Sequence, residues 1–309
     1  MTRYRGRFAP SPTGALHFGS LVAAMGSYLD ARAHQGEWIV RMEDVDRNRE
    51  VPGAAADILH TLERFGFEWD GEVLYQSQRS EHYAATLDHL VKEGLAYPCG
   101  CSRREVIETG RAGFEGPIYA GTCRNGVPPA KRPRAIRLLT REGVWHFSDR
   151  IHGRRQQHIA QEVGDFVVLR ADGFHAYHLA VVVDDAAQGI THVVRGADLL
   201  YSTPRQIYLQ ELLGLPTLQY AHLPLIVDSQ GRKLSKQQAA APVETDDPLP
   251  SLLLALRFLQ QPLPPETPMS ISEFWDWAKA HWRIESLPAN KSLPLSLHTT
   301  KESFGAGLT

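Results

Sequence analysis

Residues Phe8 to Ser20 read Phe-Ala-Pro-Ser-Pro-Thr-Gly-Ala-Leu-His-Phe-Gly-Ser and run directly into the apolar stretch Leu21-Val22-Ala23-Ala24-Met25. Two prolines and a Ser-Pro-Thr-Gly turn exclude regular structure in the first part, and the apolar run then opens a helix. The first N–H groups of that helix have no intrahelical partner and lie at the positive end of its dipole. A loop built this way attracts phosphate. Far downstream, Arg232-Lys233-Leu234-Ser235-Lys236 sets two lysines three apart in a polar, Gly-flanked loop, a flexible cationic clamp. Together the segments point to a site for a nucleoside triphosphate.

Around them the chain alternates strand-like and helix-like stretches. Arg5 to Ala9 reads as a short strand, Phe18 to Ala33 as a helix stopped near Gly36, and Trp38 to Met42 as a strand. A helix is expected from Gly53 to Phe65, ended by Gly66. Another is expected with Ser80 as its cap, with Tyr83, Leu87, Leu90 and Val91 on one face and Gly94 as its stop. This order implies an α/β domain with a parallel sheet and right-handed crossovers. The stretch from Pro98 to about Arg150, rich in Gly, Pro and Arg, breaks the rhythm and reads as an insertion. The alternation resumes with strands expected at Asp165–Arg170, Val181–Val183 and His192–Arg195. Thr203 as the cap and Pro204 at the first helical position then start a helix that Gly214 stops. Helical stretches at Leu252–Leu259 and Ile271–Trp282 precede a polar tail, expected to be ordered only in part.

Composition narrows the function classes. A net charge of -2 over 309 residues gives no global sign of nucleic-acid binding, so RNA contact would come from local patches. Arg103-Arg104, Lys131-Arg132-Pro133-Arg134 and Arg150 to Arg155 are the candidates, though such clusters are more often plain solvated surface. No run of about 18 apolar residues occurs and Met1 to Ser11 lacks an apolar signal core, so neither a membrane span nor export is expected. Cytoplasmic location and a monomer are the expectation. Three cysteines, an odd number, argue against a disulfide framework. Cys99-Gly100-Cys101 with Cys123 suits a structural Zn²⁺ completed by a fourth ligand, the plain alternative being three unrelated thiols.

In open parallel sheets ligands bind at the carboxyl ends of strands. Glu43-Asp44, Asp184-Asp185 and Arg195-Gly196 fall at expected strand ends, and Arg7 lies in the first strand beside the proline-rich loop. Two arginines and one carboxylate suit a ligand with two carboxylates and an ammonium, because arginine grips carboxylate through a two-pronged, charge-assisted hydrogen bond. Glutamate is such a ligand.

Phe8–Ser20 resembles the first signature (HIGH) of class I aminoacyl-tRNA synthetases in its glutamyl form, and Arg232–Lys236 resembles the second (KMSKS). The resemblance implies a Rossmann-type α/β parallel sheet with a zinc-containing insertion and a short helical C-terminal part. It divides the chain into 1–97 and 161–240 as the two catalytic halves, 98–160 as the insertion, 241–285 as a stem-like helical region and 286–309 as a weakly ordered tail. It implies glutamate contacts from Arg7, Ala9 and Ser11, from Glu43 in Arg41-Met42-Glu43-Asp44-Val45-Asp46-Arg47, from Tyr177 and from Arg195. Glu43 would hold the α-ammonium. ATP contacts are implied at His17, Gly19, Ser20, Lys233, Ser235 and Lys236, with His17 and Lys236 catalytic and Mg²⁺ accompanying ATP. Gly19 would let ATP approach the backbone. Tyr119 is implied as the fourth zinc ligand beside Cys99, Cys101 and Cys123, with a water or a histidine as the alternative.

Three features depart from ordinary glutamyl-tRNA synthetases. Ser20 replaces the usual last histidine of the first signature, Val181 stands where asparagine is usual, and only about 70 residues follow Lys236, too few for a large anticodon-binding domain. These features resemble the short glutamyl-Q tRNA(Asp) synthetases. That likeness implies ATP-dependent activation of L-glutamate and its transfer to queuosine in the anticodon of tRNA(Asp). A minimal synthetase charging a tRNA 3′ end, and a non-catalytic glutamate- or RNA-binding relative, are the competing readings.

Overall fold

The computed structural model describes residues 3–113, 115–227, 242–265 and 269–294. Its frame is parallel. Strand β1 (Arg5–Phe8) leads through the proline-rich loop into α1 (Phe18–Ala33) and back to β2 (Glu37–Met42), which pairs with β1 in parallel. Helix α2 (Ala54–Arg64) crosses to the two-residue β3 (Leu74–Tyr75), and α3 (Ser80–Lys92) follows. Ser80 is the first helical residue, with Arg79 in the cap position, and Val91 remains 36% exposed.

The segment expected as an insertion is entered through β4 (Ala96–Cys99) and carries α4 (Arg103–Thr109), the small hairpin β5 (Arg111–Gly113) and β6 (Gly116–Ile118), and β7 (Ala135–Leu138). A second hairpin, β8 (Trp145–Asp149) and β9 (Gly153–Gln157), leads through the short α5 (Ile159–Glu162) to β10 (Val167–Leu169). Strand β10 is antiparallel to β7 and completes a separate three-stranded sheet, β10-β7-β4, so it lies outside the parallel frame.

The apolar run at 179–183 is also not a strand. It is the middle of α6 (Tyr177–Ala187), where Leu179 to Val182, Asp184 and Asp185 are buried. A continuous apolar run has no period, so strand and buried helix look alike until packing decides. Strand β11 (His192–Gly196), α7 (Thr203–Leu212) and β12 (Gln219–Leu223) restore the alternation. Here β11 pairs in parallel with β12, giving the order β11-β12-β8-β9. Strand β11 runs beside β1, and Thr191 N–H donates to Arg5 O at 3.0 Å at the entry to this seam. The direction of strand succession reverses there, which is where such folds open a crevice.

Helices α8 (Pro248–Phe258) and α9 (Ile271–His281) pack on α1, and Trp275 Nε1 donates to Phe65 O at 2.9 Å. Strand β13 (Leu225–Val227) pairs in parallel with β14 (Ser292–Pro294), so part of the polar tail is built into a sheet. Among the described residues no helix is long and apolar enough to cross a membrane.

The main core surrounds α1, whose Leu21, Ala24, Met25, Leu29 and Ala31 are fully buried. At Gly26 a Cβ would stand 2.5 Å from Leu223 Cδ1. The missing side chain lets α1 settle onto β12. Gly26→Val is therefore expected to lower the unfolding free energy by about 1–3 kcal/mol through overpacking, although valine is the better helix former. Equilibrium urea unfolding measures this, and a variant as stable as the parent would refute the close packing.

Candidate active site

The seam between β1 and β11 opens into a cleft of about 940 Å³. Arg7, Ala9, Ser11, His17, Gly19, Ser20, Glu43, Tyr177 and Arg195 all line it. Lys233, Ser235 and Lys236 lie outside the described residues. The chain leaves the described part at Val227, directly after the cleft residue Ile226, and re-enters at Pro242, which bridges to His17.

The floor is an ion cluster. Arg7 projects from β1 and Arg41 from β2, 4% and 0% exposed. Both reach Asp185 Oδ1 of α6, at 3.3 Å from Arg7 Nε and 2.8 Å from Arg41 Nη2. Arg41 also meets Glu43 Oε1 at 3.5 Å and Gln188 Oε1 at 2.8 Å. Burial opposes the charge on Arg41, but Asp185, Glu43 and Asp184 outweigh it and raise its pKa. Burial would likewise lift the Asp185 carboxyl, and Arg41 and Arg7 overcome it and hold it below the usual carboxylate range. Asp185 thus fixes Arg7 from behind by Nε, and among the described residues the terminal Arg7 nitrogens have no hydrogen-bond partner.

Glu43 shows the opposite balance. Burial pushes its carboxyl up, and Arg41 and Arg7 offset only part of the rise. A buried carboxylate short of partners suits an incoming ammonium. On the far wall Arg195 Nη1 lies 3.4 Å from the Tyr177 hydroxyl, which burial holds protonated. The cleft thus offers two guanidinium groups, one under-compensated carboxylate and a phenol.

Beside them stands the start of α1. His17 is its N-cap, and His17 Nδ1 accepts the Ser20 N–H at 3.2 Å. Nε2 then carries the ring proton and meets Ser20 Oγ at 3.1 Å. A Cβ on Gly19 would lie 3.1 Å from His17 Cε1 and 3.2 Å from Nδ1. The glycine therefore makes room for the imidazole as well as leaving the backbone open.

The sequence reading missed the supports behind these side chains: Arg41 as an anchor, and Thr203, His222 and Asp149 behind Arg195. Arg41 lies in the same motif as Glu43, a usable signal. His222 and Asp149 sit in different strands, and nothing in their local sequence links them. Arg49, Asp198 and Pro224 on the cleft wall were also unforeseen.

In the insertion the sulfurs of Cys99, Cys101 and Cys123, all buried, lie within 4.8 Å of one another. The Tyr119 hydroxyl is 3.4 Å from Cys99 Sγ and 3.5 Å from Cys101 Sγ. Arg137 Nε and Lys131 Nζ point at Cys99 and Cys101 Sγ from 3.4 and 3.6 Å. This set can hold a metal ion.

Comparison with known proteins agrees with the fold. Residues 3–256 match the family described as tRNA synthetases class I (E and Q), catalytic domain. A protein of Chromobacterium violaceum named glutamyl-Q tRNA(Asp) synthetase is 55% identical over 294 residues, spanning 95% of this chain and 98% of that protein. One of the same name from Dechloromonas aromatica is 57% identical over 288 residues, spanning 92% and 96%. A glutamate-tRNA synthetase structure from Elizabethkingia anophelis superposes with a TM-score of 0.77 at 24% identity, over 96% of this chain and 68% of that one, and establishes the likeness in fold. The chain belongs to the class I tRNA synthetases for glutamate and glutamine and, within them, to the glutamyl-Q tRNA(Asp) synthetase family.

Two stability predictions follow from the ion cluster. Asp185→Asn removes the close counter-charge of two buried guanidinium groups, leaving only the longer Glu43 contact, and is expected to cost about 3–5 kcal/mol. The wild-type contribution of Asp185 is present above the unfolded carboxylate range, near pH 4, and fades as pH falls through its lowered folded value. Glu43→Gln acts the other way. Its raised carboxyl makes the folded state lose stability as pH rises above the unfolded value, and the amide escapes that loss. At pH 7 this variant is expected to unfold at or above the parental urea midpoint; a clearly lower midpoint would contradict the assignment.

Proposed function

We propose that the cleft binds L-glutamate and ATP and joins them as glutamyl-adenylate, and that the glutamyl group then passes to the queuosine base of tRNA(Asp). The carrying observation is the gathering of Arg7, Glu43, Tyr177 and Arg195 beside the helix opening at His17–Ser20. They form a glutamate-shaped charge set against a phosphate cradle, in a chain 55–57% identical to proteins named for this activity.

Arg7 and Arg195 take the two carboxylates and Glu43 takes the ammonium, with Ala9 and Ser11 lining the pocket. The α-carboxylate oxygen attacks the α-phosphorus of ATP, the bond to the β-phosphate bridging oxygen breaks, and pyrophosphate leaves with that electron pair. The protein supplies orientation and charge stabilisation. His17 donates to phosphate, Gly19 and Ser20 keep the helix opening accessible, and Lys233, Ser235 and Lys236 neutralise the departing charge, with Lys236 catalytic. Support for the last group comes from the ends of its segment, which both lie at the cleft. Mg²⁺ accompanies ATP. In the second step a hydroxyl of the queuosine cyclopentenediol attacks the adenylate carbonyl, its proton is lost and AMP departs. Cys99, Cys101 and Cys123, with Tyr119, hold a structural Zn²⁺ that ties the insertion together. The protein works as a cytoplasmic monomer.

Glutamate-dependent ATP–pyrophosphate exchange is the direct test of activation, and Glu43→Gln is expected to raise the glutamate KM at least about tenfold with less effect on ATP. Labelled glutamate should appear on queuosine-containing tRNA(Asp) and not on the same tRNA without queuosine. Glutamate at the 3′ end of tRNA(Glu) would sink the acceptor assignment. Elemental analysis should find one zinc per chain, lost on replacing Cys101 and Cys123 by serine; metal-free protein from zinc-replete medium would refute the site.

A further inference from the structure

Arg195 is held from behind by a chain of three buried groups. It pairs across β11 and β12 with His222, so both side chains stand on one face of the sheet. His222 is fully buried, and its Nε2 lies 3.1 Å from Arg195 Nε and 3.0 Å from Thr203 Oγ1. A guanidinium can only donate, so Nε2 is the acceptor and the ring proton sits on Nδ1. From there it donates to Asp149 Oδ2 at 2.6 Å. Asp149 is itself fixed, because its Oδ1 accepts the N–H groups of Ile151 and His152 at 3.0 and 2.8 Å. Burial pulls the His222 imidazole down to about 4, so the ring is neutral near pH 7.

The geometry decides which side of Arg195 remains for a ligand. His222 takes Nε–H, and Thr203 Oγ1 takes Nη2 at 2.8 Å, so these two neighbours occupy the Nε/Nη2 edge. Nη1, at the other end of the fork, faces Tyr177 in the cleft. A neutral acceptor matters here. A carboxylate in the place of His222 would pair with Arg195 and compete with the ligand, whereas an imidazole leaves the full cation and keeps the Asp149 charge one ring away.

We propose that His222, oriented by Asp149, is a positioning residue that grips one edge of the Arg195 guanidinium and presents the other edge, already aligned, to a carboxylate of glutamate. The proposal rests on the reading of Arg195 as a glutamate contact. His222 does not line the cleft and transfers no proton to the reacting atoms. Its effect is to spare the ordering of a long side chain when the ligand binds.

The test is ATP–pyrophosphate exchange with queuosine-containing tRNA(Asp) present, measured for His222→Leu, Asp149→Asn, His222→Gln and Arg195→Gln, with thermal melts of each. His222→Leu is expected to raise the glutamate KM about tenfold or more, with the ATP KM within about twofold. Asp149→Asn should do the same, because its amide N–H displaces the ring proton to Nε2, where it confronts the guanidinium N–H. His222→Gln puts an amide oxygen near the Nε2 position and should bring the glutamate KM back to within about threefold of the parent. A parental glutamate KM in His222→Leu or Asp149→Asn overturns the proposal, as does a glutamine variant no better than leucine. An unchanged KM in Arg195→Gln overturns instead the reading of Arg195 itself. If His222→Leu does not melt cooperatively, the near-isosteric Asp149→Asn decides.

Discussion

The site depends on one buried carboxylate. Asp185, in the last turn of α6, receives Arg7 from β1 and Arg41 from β2, and so ties the first two strands to that helix. In a low-dielectric interior a buried guanidinium needs a close carboxylate, and Asp185 supplies it to both arginines. The two carboxylates divide the burden unequally. Asp185 takes the close contacts and is held ionised, whereas Glu43 has one long contact and remains under-compensated toward the cleft. A ligand carrying an ammonium completes it. The adjacent Asp184 belongs to a different cluster, with Arg79 Nε at 2.5 Å and the Tyr83 hydroxyl at 2.6 Å. Two consecutive acids in one helix therefore hold α6 through two separate clusters.

In the proposed reading, phosphate and amino-acid recognition meet because the same loop serves both. The proline-rich segment leaves β1 just past Arg7 and ends at the N-cap of α1, so the floor of one pocket and the wall of the other are a few residues apart. Ser20 takes a role at this junction. Its N–H and hydroxyl both engage the His17 ring, so the residue that departs from the usual signature holds the preceding histidine in place. The cysteine cluster lies in another part of the chain and contributes no lining to this cleft.

Much of this arrangement was readable in the residues, and the failures have a physical pattern. β1, α1, β2, α2 and α7 appear close to their expected bounds because proline and glycine mark their ends: Gly66 after α2 and Gly214 after α7 both adopt positive φ. The run at 179–183 was misread because a fully buried element has no polar face to mark its period. Strand β10 was given to the wrong sheet because a three-residue strand carries no record of its partner. Thr203 was expected to cap α7; instead it is the first helical residue, and its hydroxyl serves Arg195.

The sequence by itself determined the chemistry of the cleft. A proline-rich turn before an apolar helix gives an open helix N-terminus at the cleft, and Arg7, Glu43 and Arg195, picked out by their motifs, line the same cleft. Tertiary structure alone decided how those charges are held. Asp185 between two arginines, and the path Asp149–His222–Arg195, join residues up to 178 positions apart. Such contacts arise from strand register and helix packing, which bring together groups whose local sequences are independent. The sequence names the side chains that line the cleft, but their protonation and aim are set by buried neighbours that only the fold supplies.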